Sequence, residues 1–118
     1  MSSLPNKVPY EVEVRAIDIK EFAYLVELGG RSVKGEFGLG AASAAKLIYD
    51  IAENLWDSSD LEQRLDDINT IIGLANFIDR AGTEDEGKFG FSAARAAIRI
   101  REIAQTMIEP TGGIEHDN

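Results

Sequence analysis

The feature that most constrains this chain is a repeat at an offset of 52 residues. Placed without gaps, residues 36 to 55, "EFGLGAASAAKLIYDIAENL", and residues 88 to 107, "KFGFSAARAAIRIREIAQTM", agree at nine of twenty positions. On a helix, positions 41, 44, 45, 48, 51, 52 and 55 lie along one side. They carry Ala41, Ala44, Ala45, Ile48, Ile51, Ala52 and Leu55 in the first copy, and Ala93, Ala96, Ala97, Ile100, Ile103, Ala104 and Met107 in the second. The agreement falls on a buried face that is small at its start, where another backbone can approach, and bulkier farther along, where a gap must be filled. It reads as a packing repeat: two pseudo-equivalent helices flanking one long helix, with Phe37 and Phe89 plugging equivalent corners. Two amphipathic alanine-rich helices also resemble each other by composition alone, so the test is whether the two copies superpose.

The rest of the chain is read around that pair. From residue 41 onward the pattern is helical, over about 41–56, 60–81 and 92–109. A Ser59–Glu62 capping box opens the middle helix, Gly82 closes it, and Pro110 stops the last one. Residues 10 to 16, "YEVEVRA", alternate apolar and polar and read as a strand over about 9–17. Residues 18 to 37 support two readings. In the first they form a hairpin, 22–28 with 31–37, turning at Gly29-Gly30, with Val26 opposite Val33 and Phe22 opposite Phe37. In the second, Asp18 caps a helix whose stripe is Ile19, Phe22, Ala23 and Val26, ended by the glycines. The hairpin is preferred because a lone strand at 10–16 needs partners for its backbone groups. The weak match of "FAYLVELGG" at 22–30 to "LANFIDRAG" at 74–82 points the other way. The expected fold is therefore helix-rich α+β, an amino-terminal antiparallel segment on three helices. It forms a single domain over 1–109 with a flexible tail over 110–118. The alternative is a mostly α chain of two pseudo-repeated helical hairpins.

Charge bounds the partners. The chain has 12 basic and 21 acidic residues, a formal net charge of −9. Residues 41–82 hold three of the bases and eight of the acids. Such a field repels a phosphate backbone, so direct nucleic-acid binding is not expected. The absence of cysteine removes disulfides, thiolate metal sites and thiol nucleophiles together. "MSSLPNKVPYEVEVR" has no apolar core of the signal-peptide kind, and no segment approaches the roughly 18 apolar residues of a membrane span. A cytoplasmic protein that does not engage membranes is expected.

The glycine-punctuated corners resemble phosphate loops only loosely. Gly35, Gly38 and Gly40 match neither the dinucleotide fingerprint nor the triphosphatase loop. The second corner is the better candidate anion site, with Lys88, Gly90, Ser92 and Arg95 around a helix start. His116, the sole histidine, sits in the tail, where it cannot serve a fixed catalytic triad. Glu84, Asp85 and Glu86 lack the alternating ligands of a calcium loop and read as a solvated loop. Asp66 and Asp67 point about 100° apart on a helix, poor geometry for a working carboxylate pair. Arg95 and Arg99 form a basic cluster expected to pair with carboxylates of the neighbouring helix. Trp56, at the end of the first helix, reads first as an edge of the core, and if exposed beside "DSSD" as a binding anchor. No catalytic residue, metal or cofactor is expected. The candidate partner-binding set is Trp56, Asp57, Asp60, Glu62, Asp66, Asp67, Arg95 and Arg99. Together these features suggest a non-catalytic protein-binding module, a small acidic inhibitor or immunity-type protein of bacterial or phage kind that docks on a basic protein surface. The alternatives are a self-assembling helical scaffold or regulatory oligomer and, less favoured, an anion or nucleotide binder at the second Phe-Gly corner.

Overall fold

The computed structural model describes residues 10–33, 35–55, 57, 60–85 and 87–111 and, within these, side chains between 13 and 108. Four helices follow one another: α1 (Tyr10–Ser32), α2 (Glu36–Glu53), α3 (Leu61–Glu84) and α4 (Lys88–Thr111). Among the described residues there is no strand, so the α+β expectation is overturned. The strand at 9–17 and the hairpin at 22–28/31–37 are replaced by α1, the corner after it and the start of α2.

The reason lies in one stripe. Ala16, Ile19, Ala23, Val26 and Gly30 recur at helical spacing and are all buried. That stripe begins inside the alternating segment and runs straight across Gly29-Gly30. Burial along one side of a long helix therefore outweighs the β preference of a seven-residue run. Gly30 is not a turn residue but a contact: a Cβ there would lie 2.5 Å from the Gly38 carbonyl oxygen of α2. The chain reverses instead at Gly35, whose φ of 115° L side chains rarely adopt.

The close helix contact recurs 52 residues on, although Gly87, the counterpart of Gly35, does not share its positive φ. A Cβ at Gly82 would lie 2.5 Å from the Gly90 carbonyl oxygen, with the Ala94 methyl 3.2 Å away, as the Ala42 methyl is 3.0 Å from a Cβ at Gly30. Core positions correspond as well: Ala16, Ile19, Ala23, Val26, Ile48 and Leu55 match Ile68, Ile71, Ala75, Ile78, Ile100 and Met107, all buried. Phe37 and Phe89 do not plug separate corners; their rings meet, centroids 5.6 Å apart and planes tilted by 50°. Equivalent residues touching each other is what a pseudo-twofold relation between the hairpins α1–α2 and α3–α4 produces. α2 and α4 both pack on the long helix α3, but both pack on α1 as well, so no one helix is central. All four surround one shared core, in a bundle that measures 53 by 26 by 19 Å.

Helix ends differ from the sequence reading for local reasons. α2 starts directly after Gly35 and ends where Asn54 caps it, its backbone N–H and its Nδ2 both donating to the Asp50 carbonyl at 3.2 and 2.9 Å. α3 is capped by Asp60, whose Oδ1 accepts from the Glu62 amide at 3.0 Å; Ser59, the expected cap, lies outside the described residues. α3 runs past Gly82, because that glycine admits α4 rather than ending the helix. α4 continues through Pro110 to Thr111. Pro110 has no N–H for the Thr106 carbonyl, and the Arg15 guanidinium donates to that oxygen at 3.4 Å. The tail over 112–118, His116 included, lies outside the described residues.

Candidate functional site

Alternating helix directions bring the starts of α1 and α3 and the ends of α2 and α4 to one end of the bundle. Lys20 Nζ meets Glu53 Oε1 at 2.7 Å there, and Arg15 reaches Thr106. With each helix cut at its midpoint, this half holds eleven described carboxylates against five bases, while the other half holds five of each. The net negative charge of the described bundle is thus gathered at one pole. Asp57, Asp60, Glu62 and Asp66 are exposed on it, and half-buried Asp67 accepts from Gln63 Nε2 at 2.9 Å. Trp56 lies outside the described residues. Three of the five bases are already ion-paired, Lys20 by Glu53 and Lys46 by Asp50 at 2.9 Å within this half, and Arg101 by Asp79 of the other half at 3.2 Å. The hydrogen bond from Lys46 to Asp50, and then the Asp50 charge, hold the Lys46 ammonium above its ordinary pKa.

Arg95 and Arg99 are not brought to these acids, because the first half of α4 sits at the opposite pole. The Arg95 guanidinium lies over the Phe91 ring, 5.6 Å from its centroid. Arg99 pairs with Glu102 of its own helix at 2.8 Å, and the base that reaches α3 is Arg101, donating to Asn76 at 2.8 Å and Asp79 at 3.2 Å. Phe22, Ala96, Ile98, Arg95, Arg99 and Glu102 line an open groove of about 380 Å³ on this side.

At the second Phe-Gly corner, Lys88, Ser92 and Arg95 are exposed and Gly90 is buried. The Asp85 carboxylate accepts from the Gly87 amide at 3.0 Å and lies 2.6 Å from where a Gly90 Cβ would be. The chain's own anion therefore sits at the positive end of α4. Asp85 has this role because the sharp turn between α3 and α4 folds it back, which a reading of residues 84–86 as a solvated loop does not foresee. Among the described residues no three histidine or carboxylate side chains converge as metal ligands. No described helix is long and apolar enough to cross a membrane.

One surface escaped the sequence reading. Ile17, Tyr24 and Leu28 follow one line along α1 and are 49, 50 and 46% exposed. Their counterparts in the second hairpin are Asn69, Asn76 and Arg80, so the fold itself does not require apolar residues there. Likewise Leu47, exposed on α2, has Arg99 as its counterpart, whereas Leu25 and Leu39 answer to Phe77 and Phe91, apolar in both halves. Between α1 and α2, Ile17, Lys20, Glu21, Tyr24 and Tyr49 line a groove of about 230 Å³. The helix alternative for 18–37 considers only the buried stripe Ile19, Phe22, Ala23 and Val26, and leaves the exposed line beside it unread.

Comparison with known proteins finds no family model, no curated protein and no solved structure that matches the chain significantly.

Proposed function

We propose that this chain is a non-catalytic protein-binding module, of the acidic inhibitor or immunity type, that docks through its acidic pole on a basic surface of another protein. The observation that carries the reading is the segregation of charge: alternating helix directions collect carboxylates from separate stretches of sequence at one end, leaving the other end balanced. A pole of that kind accelerates encounter with a basic surface and repels acidic ones.

The test is capture from the native host with the full chain immobilised. A basic partner is expected, and its binding should weaken several-fold between about 0.05 and about 0.3 M salt as screening shortens the reach of the field. Combining Asp60→Asn, Glu62→Gln and Asp66→Asn should lower the association rate about tenfold, while asparagine still caps α3. Recovery of no basic protein at low salt, or binding indifferent to salt, would sink the reading. Self-assembly is the rival, favoured by the exposed leucines of the first hairpin. Sedimentation at micromolar concentration separates the two, since a docking module that leaves its face free remains a monomer.

A further inference from the structure

Resting on the reading that the partner is a basic protein, we propose that the groove between α1 and α2 receives an amphipathic, lysine- or arginine-bearing helix of that partner, laid along α1. Three observations carry it. Ile17, Tyr24 and Leu28 stand at i, i+7 and i+11, the spacing of a seam that another helix follows, and the groove beside them offers Tyr49 as an apolar wall. The second hairpin shares the buried pattern of the first but places Asn69, Asn76 and Arg80 along the equivalent line. The apolar line is therefore an addition to the fold, not part of its core. Charge selects the occupant. Glu13 and Glu21 are exposed beside the seam with no ion-pair partner among the described residues, whereas the bases along it are engaged, Lys20 by Glu53 and Arg31 by Glu27 at 2.5 Å. A helix carrying bases beside an apolar stripe meets both requirements; one carrying carboxylates meets Glu13 and Glu21 with repulsion.

The probes are two synthetic helical peptides of equal length, built from leucine–lysine and leucine–glutamate heptads, titrated against the full chain. The lysine peptide is expected to bind and the glutamate peptide not. Tyr24→Asp should weaken the lysine peptide at least about tenfold, as removal of a central aromatic anchor does. Glu21→Lys, a surface change that leaves the bundle intact, should weaken it several-fold, and Asn76→Asp on the second hairpin should not weaken it. Four outcomes overturn the proposal. Equal binding of both peptides shows a face without charge selection. Binding of neither leaves no helix site. Binding unaffected by Tyr24→Asp but lost on neutralising Asp60, Glu62 and Asp66 moves the contact to the acidic pole and leaves the module reading standing. A dimer in sedimentation that Tyr24→Asp makes monomeric means that a second copy covers the face.

Discussion

Replacing Gly82 or Gly30 by alanine is expected to destabilise the protein by about 1–3 kcal/mol, the cost of overpacking a closed contact. The sign is the informative part, since alanine in a helix is otherwise better than glycine by about 1 kcal/mol. At both positions the added methyl would lie 2.5 Å from a carbonyl oxygen of the facing helix, and backbone cannot turn aside as a side chain can. Gly73 supplies the control. It is exposed on α3 with nothing within 4 Å of where its Cβ would be, so Gly73→Ala should stabilise by about 0.5–1 kcal/mol. Urea denaturation midpoints of the three variants measure this, and a neutral or stabilising Gly82→Ala would show that α3 and α4 do not approach so closely.

Ile48→Ala and Ile100→Ala are expected to cost more, about 2–5 kcal/mol each. Both side chains are completely buried in one core, at equivalent positions of α2 and α4. Against a total stability of about 5–15 kcal/mol, either change leaves a large unfolded fraction in mild denaturant. Because the two sites share their neighbours' pattern as well as their own identity, their costs should lie closer together than the spread of about 2 kcal/mol that one such substitution shows at unlike sites. A threefold disparity in the measured losses would mean that only one hairpin is tightly packed, and that the pseudo-twofold relation stops at the backbone.

The second half of the chain could be read from its residues because α3 and α4 carry long apolar periods, and nothing in "LEQRLDDINTIIGLANFIDRAG" competes with a helix. The first half could not. "YEVEVRA" offers a short alternation that the local pattern cannot reject, and Gly29-Gly30 imitates a hairpin turn. What overrules both is nonlocal: Gly30 is small because Gly38 comes to it, a fact visible only when α1 and α2 are side by side. The repeat held the correction, since residues 22–30 align with a segment that is plainly helical. Of the candidate site, the acids of 57–67 were apparent as a run, but their union with Glu13 and Asp18 needs the helix directions. The separation of Arg95 and Arg99 from those acids follows from the same directions. Asp85 was missed because its partner is an amide two residues away, brought within reach by the turn.

The order in which helices meet carries a kinetic meaning. Each of α1–α2, α2–α3 and α3–α4 joins neighbours in the chain, and among the described residues only the docking of α1 on α4 closes the ring across most of its length. Bundles dominated by such near-neighbour encounters reach the native state in microseconds to milliseconds. The α1–α4 seam joins the parts of the chain farthest apart in sequence, so closing it carries the largest loop-closure cost. Substitutions there are expected to slow folding more than substitutions in the turns, as stopped-flow refolding would measure.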